Sequence, residues 1–513
     1  MRRNPPRRRL LLPADNGVVS VTSTSRFHPT TFLMPSTIDA LKEFFGSRGV
    51  SAYLVGGYLR DALLGSSSKD LDVAVNGDAL SLGRELADLL CGSFVTLDQQ
   101  RRIARVVLPN DKALVDISSM EGSIEEDLAR RDFTVDAMAL SLDEADTLDW
   151  AEAIIDPFAG RSDLAQGLIR MVSPGVFTED PARLLRAARL AGGMGFSIEE
   201  ETVAVIGNSA ALLPQVSAER VRDEFLALLS LKGAKENLHC LDDLGLLCHI
   251  IPELETTRGV EQPREHYWDV FEHTIQAVGA AEKVTADLDK DPLTTTLHWG
   301  QDMESYFNQV VSDGHNRRTL LKLGALFHDI AKPQTKATDS KGRTRFLGHS
   351  ELGASMAGER LRALRLSARG VKGVCTMVEH HLRPTQMSQG LEPPTNRAIY
   401  RFYRDLDETA NSVLYLSLAD YLAARGPMVE TEDWQRRVDL VNYVLAEANR
   451  ERSPERKERL VTGHDLIETF GLEPGPLFRR LLEGLEEAQA VGDVQTREEA
   501  LAWVKAKLEE GGV

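Results

Sequence analysis

The chain has 513 residues, too many for a single hydrophobic core, so several domains are expected. Its composition, 42% hydrophobic and 27% charged, is that of a globular protein, with no run of apolar residues long enough to span a membrane. A net charge of −18, from 60 basic and 78 acidic residues, excludes a surface coated for nucleic acid; RNA contact has to come from local arginine stripes.

Residues 1–33 carry Arg2, Arg3, Arg7, Arg8, Arg9 and Arg26 against one acid, Asp15. This basic extension reads as disordered; a transit peptide and a translation start drawn upstream of Met34 are the alternatives.

From residue 34 to 160, short apolar runs alternate with helical stretches. Ala52-Tyr53-Leu54-Val55 reads as a strand, then Gly56-Gly57 as a turn into a helix carrying Arg60. Two glycines there let backbone N–H groups approach a phosphate, with Arg60 as a fixed cation. In Lys69-Asp70-Leu71-Asp72-Val73-Ala74-Val75 the apolar residues share one strand face, so Asp70 and Asp72 converge on the other. Like charges so placed are costly unless a cation neutralises them, and Mg²⁺ is the expected one. Asp116, in Leu114-Val115-Asp116-Ile117, is a candidate third carboxylate or a plain strand-edge acid.

Residues 161–265 read as helical. Asp180, Arg183, Arg186 and Arg189 fall three apart, which predicts neighbours on successive turns of one helix, in a row that drifts around it. An acid beside an arginine offers an acceptor and a donor fork to a base edge; a surface salt-bridge ladder is the alternative.

These motifs, in this order, resemble the bacterial and eukaryotic class of CCA-adding tRNA nucleotidyltransferases and their poly(A) polymerase relatives. The resemblance rests on Leu54 through Gly65 with Asp70-Leu71-Asp72, on Glu126 through Ala139, on Asp156-Pro157-Phe158 with Gly160, Asp163-Leu164 and Ile169-Arg170, and on Glu179 through Arg189. It implies a polymerase-β-like head in which Asp70 and Asp72 bind catalytic Mg²⁺. Gly56, Gly57 and Arg60 would meet the triphosphate, and Arg131 the incoming nucleotide. Asp180 and Arg183 would select C or A without a nucleic acid template, while Arg186 and Arg189 would hold phosphates. The implied partners are tRNA, CTP and ATP, with addition of CC alone, A alone, or poly(A) as the alternatives. Where the second motif usually has Asn, this chain has Asp136, which bears on specificity rather than reaction class. No basic-aromatic signature of the poly(A) polymerases follows Phe94, which points to tRNA.

Residues 266–425 hold His273, His328-Asp329, His349, His380, His381 and Asp420 in helical, apolar text. Imidazole with carboxylate is a donor set for a borderline transition metal, here Ni²⁺ or Mn²⁺. The order resembles the HD phosphohydrolase superfamily, and which of His380 and His381 ligates stays open. The resemblance implies removal of phosphate from 2′,3′-cyclic or 2′-phosphorylated ends; a degenerate helical scaffold, or an RNA- or nucleotide-binding protein with only this domain active, is the competing possibility. The acidic stretch 284–316 reads as a loop.

Residues 426–513 read as a helical tail, for tRNA contact, or else for dimerisation or packing. The four cysteines show no paired spacing, consistent with reduced thiols in a cytoplasm. The expected fold class is α+β: a head (34–160) with a five-stranded sheet, then an all-helical neck (161–265), HD domain (266–425) and tail.

Overall fold

The computed structural model describes residues 35–66, 68, 70–109, 113–147, 149–285, 293–388, 393–451 and 460–510. The basic extension 1–33 lies outside the described residues. The chain divides into two compact units, Met1–Lys232 with Glu236–Ile250, and Gly233–Lys235 with Ile251–Val513. Among the described residues no helix is long and apolar enough to cross a membrane.

The first unit is built on a mixed sheet. Its strands are β1 (Ala52–Val55), β2 (Asp70–Val75), β3 (Ser93–Asp98), β4 (Ile103–Val107), β5 (Leu114–Ser119) and β6 (Ala139–Ser141), in the order β3-β4-β5-β2-β1-β6. It has six strands, not five: the short Ala139–Ser141 run pairs antiparallel with β1 and extends the sheet at that edge. β2 runs parallel to β5 and antiparallel to β1. Period-two alternation sorts the faces. Leu71, Val73 and Val75 enter the main core with Leu54, Val115, Ile117, Phe44 and Phe45. The phenylalanines come from α1 (Pro35–Gly46), and Leu82 and Leu86 of α3 (Ala79–Leu89) join them. On the opposite face Val55 and Ala74 pack with Ile124 and Leu128 of α4 (Ile124–Ala129), a helix started by a capping box between Ser123 and Glu126.

Asp180 does not sit one turn below Arg183 in a common helix. It is extended (φ −146°, ψ 93°), and α5 runs only from Arg183 to Met194. Pro181 accounts for this, because its ring disfavours helical geometry at the preceding residue.

The second unit is helical around α6 (Val270–Lys283), α7 (Arg317–Phe327), α8 (His349–Ala363), α9 (Ala368–His380) and α10 (Ala410–Arg425). The expected loop at 284–316 is only partly one: its described portion contains a helix, Gln301–Asn308, and a hairpin pairing Val310–Ser312 with His315–Asn316. Apolar anchors Met303 and Phe307, both buried, explain why polar text still folds there. The tail helices enclose a small core of their own, including Leu466, Leu481, Leu485 and Val504.

Candidate functional site

The Gly-Gly turn and the two-aspartate strand meet at one end of the head sheet. Gly56 has φ +68°, a conformation that side chains rarely adopt, and a Cβ there would lie 3.0 Å from Arg131 Nη1 and 3.2 Å from Asp72 Oδ2. Glycine therefore brings backbone against a carboxylate and a guanidinium at once. α2 (Gly57–Leu63) follows, carrying Arg60.

Asp72 is in direct register with Asp116 across the parallel β2–β5 pair, so all three acids, Asp70, Asp72 and Asp116, share a sheet face. Asp116 is gripped by both ends of the Arg105 fork at 2.7 Å. Burial, with Asp116 and Asp136 adding to it, pushes the Asp72 carboxyl up to about 6 against the pull of Arg131 and Arg186. A carboxylate so destabilised is one that a divalent cation would relieve, and all-oxygen donors suit Mg²⁺.

Arginines from three segments surround this face. Arg60 Nη1 donates to Asp136 Oδ1 at 2.6 Å and Arg60 Nε to Asp61 at 2.9 Å. Arg131 pairs with Asp127 at 3.3 Å. Arg186 lies 2.7 Å from Asp132 and 3.3 Å from Asp136. Arg183 Nη2 donates to the Arg130 carbonyl at 2.8 Å. Arg189 is paired with Glu224 at 2.5 Å and makes none of the contacts with Asp132 or Asp136 that tie Arg186 to the head. Asp180 accepts both ends of the Arg220 fork, at 2.9 and 2.8 Å. Burial works against its charge, but Arg220, with the Ala182 N–H and Arg183 adding to it, holds the carboxyl below the ordinary range.

In the second unit His273, His328, Asp329 and Asp420 bring ligating atoms within 4.8 Å of one another, and so do Asp329, His349 and His381. Helix ends supply three of the six: His328 and His381 cap α7 and α9, and His349 begins α8. Three Nδ1 atoms sit on backbone carbonyls, His328 on Ala325 at 2.8 Å, His349 on Phe346 at 2.7 Å and His381 on Val378 at 2.7 Å. With the proton on Nδ1, the Nε2 lone pairs of His328, His349 and His381 face inward, where His328 Nε2 lies 3.0 Å from His273 Nε2 and His349 Nε2 lies 3.3 Å from His381 Nε2. Converging lone pairs at that distance need a proton or a metal between them, so the residues fit a transition-metal ion. His380 is outside both groups, half-exposed and 3.9 Å from Glu379.

Several contributors escaped the sequence reading. Lys332 Nζ lies 2.5 Å from Asp329 Oδ2 and donates to Gln262 at 2.7 Å. His266 stands edge-on to His273 with centroids 5.3 Å apart, and burial lowers it to about 4. Lys332 follows Asp329 by three positions, a spacing that could have been noticed. Arg105, Arg220 and His266 had no such local signal.

Comparison with known proteins agrees with this layout. Residues 52–170 match the Poly A polymerase head domain, 195–257 the probable RNA- and SrmB-binding site of polymerase A, and 270–425 the HD domain. The A-adding tRNA nucleotidyltransferase of Deinococcus radiodurans is 33% identical, covering 90% of this chain and 96% of its own. The CC-adding tRNA nucleotidyltransferase of Thermus thermophilus is 32% identical, over 88% and 93%. Among solved structures, the Thermotoga maritima CCA-adding enzyme complexed with tRNA-CCA superposes with a TM-score of 0.59 at 20% identity, covering 94% of this chain and 97% of that one. That likeness carries the fold alone; the sequence relatives carry the family. With relatives of 33% and 32% identity matched along most of their length, and head and HD domains in the same order, the chain belongs to the CCA-adding family of tRNA nucleotidyltransferases.

Proposed function

We propose that the head adds C and A residues to a tRNA 3′ end from CTP and ATP, without a nucleic acid template. The observation that carries this reading is Gly56 held against Asp72 and Arg131, beside a two-aspartate strand. Asp70 and Asp72 hold Mg²⁺, with Asp116 beside them. Bound Mg²⁺ supplies the charge that favours the attacking 3′-hydroxyl and the leaving pyrophosphate. Arg60 and the Gly56-Gly57 backbone receive the triphosphate, Arg131 and Arg186 flank the nucleotide, and Asp180 with Arg183 face the base edge. Attack of the RNA 3′-oxygen on the α-phosphorus breaks the bond to pyrophosphate, and the hydroxyl proton leaves to solvent.

A second reading is addition of A alone or of CC alone. It is favoured by the relatives from Deinococcus and Thermus, which match along most of the chain and are named for those partial reactions. Incubating the purified protein with tRNA lacking its 3′ end, with CTP alone, ATP alone or both, decides between them. Complete CCA with both nucleotides supports the first reading, and a product stopping at CC or requiring a CC end supports the second. No incorporation with any combination, on tRNA lacking its 3′ end or on tRNA already ending in CC, overturns both.

For the HD domain, we read a metal-dependent phosphohydrolase acting on 2′,3′-cyclic or 2′-phosphorylated RNA ends. His273, His328, Asp329, His349, His381 and Asp420 hold the metal, Ni²⁺ or Mn²⁺ by their mixed nitrogen and oxygen donors. The buried Lys332 beside Asp329 places a cation where a phosphate can be met.

A further inference from the structure

The acids around the Gly-Gly turn divide by what they touch. Asp61 accepts from Arg60, and Asp132 lies against Arg186. Asp136 alone reaches both arginines, Arg60 Nη1 at 2.6 Å through Oδ1 and Arg186 Nη2 at 3.3 Å through Oδ2. Its side chain is 3% exposed. It stands on a 3-10 turn, Thr134–Asp136, that is itself fixed: Thr134 N–H donates to the Arg170 carbonyl at 2.9 Å and Thr134 Oγ1 to Asp163 at 2.7 Å.

We infer that Asp136 is a positioning and specificity-determining residue, whose buried carboxylate locks Arg60 and Arg186 to each other and withholds one unit of positive charge from the nucleotide pocket. Each arginine has a second acid, so Asp136 is not needed merely to neutralise either one. What it adds is the link between two helices. Only a carboxylate can make that link: an amide of the same shape has one acceptor oxygen, and its NH₂ group would face the donors of the other arginine. Burying a carboxylate costs several kcal/mol unless it is well paired, so a charged residue here points to a use for the charge. Because Arg60 is held from the phosphate end and Arg186 from α5, the link fixes where the triphosphate lies relative to the base-reading segment.

The inference rests on the proposed placement of these arginines at the nucleotide. Its test is the Asp136→Asn variant, read two ways with CTP and ATP and Mg²⁺. Equilibrium binding without RNA should tighten by about three- to tenfold, because a negative charge near the still anionic Mg²⁺-bound triphosphate is removed. Discrimination against UTP and GTP on tRNA lacking its 3′ end should fall by about tenfold, because Arg186 loses its tie to Arg60. Asp136→Ser should give the same pair of changes, and serves if the amide variant melts early. A purely structural residue would instead weaken binding and leave the selectivity ratio intact. Weaker or unchanged triphosphate binding, or unchanged discrimination, overturns the inference. Wild-type protein that binds neither nucleotide overturns the functional reading itself, and that arm is seen before any variant is made.

Discussion

Asp72 and Asp116 stand side by side in register on parallel strands, yet only Asp116 is clasped by an arginine fork. Arg105 answers one charge and not the other; burial, with the field of Asp116 adding to it, raises Asp72 to about 6. The stability consequence has a definite sign. A carboxyl raised in the folded state binds its proton more tightly there than in the unfolded chain. The fold therefore loses stability as pH climbs from about 4 to about 6, and the loss is complete above that. In metal-free protein, Asp72→Asn should stabilise the head by about 1–3 kcal/mol at pH 7.5 and by almost nothing at pH 4. Thermal melts in chelator at both pH values check it; an equal effect at both, or destabilisation at pH 7.5, would contradict the shift.

The same strand predicts the opposite effect on activity. Asp70→Ala and Asp72→Ala should each abolish nucleotide addition while the circular dichroism spectrum and main melting transition persist, since neither side chain enters the core around Leu71 and Val73. Near-normal incorporation by either folded variant would remove this strand from the catalytic centre.

Base selection should depend on a residue 40 positions downstream of Asp180. The Arg220 fork fixes the Asp180 carboxylate, so Arg220→Ala should loosen discrimination among CTP, ATP, UTP and GTP in the same direction as Asp180→Ala and Arg183→Ala. Each loss should be about 1–3 kcal/mol of selectivity, larger than the slowing of correct transfer. Misincorporation assays on the three variants decide; unchanged selectivity in all of them would leave the protein-template role without support.

The legible parts of the sequence were those written in local rules. Alternation marked the faces of β2, and turn chemistry marked Gly56-Gly57, because both depend on residues next to one another. Asp180 was misplaced by a rule equally local, the effect of Pro181 on its predecessor, which spacing by three overrode. His380 and His381 could not be separated by pattern, since adjacent residues at a helix end differ only in which one caps it. Arg105, Arg220 and His266 reach their sites through tertiary packing, and no short-range period announces them. The short strand β6 escaped for a related reason: three residues carry too little alternation to read, and pairing with β1 makes them a strand.

The clustered histidines and aspartates of the HD domain begin at His273, well after α5 in the sequence, and an imidazole-rich set would suit a softer metal than the carboxylates of the head. The two activities should therefore separate. His328→Ala combined with Asp329→Ala should eliminate hydrolysis of 2′,3′-cyclic phosphate or 2′-nucleotides and leave nucleotide addition intact. Ni²⁺ or Mn²⁺ should support the hydrolase better than Mg²⁺, which suffices for transfer. Position within the cluster sharpens the test, because His381 is buried against His349 while His380 lies outside. His381→Ala should lower the Ni²⁺ or Mn²⁺ retained after dialysis, by about 10-fold or more in affinity, and His380→Ala should not. Metal content by mass spectrometry gives that answer without any assay of activity. Equal loss of metal in both histidine variants would break the assignment of His381. Loss of addition together with hydrolysis in a folded double variant would mean one coupled site, and absence of hydrolysis by wild type with every metal would leave the domain as a scaffold.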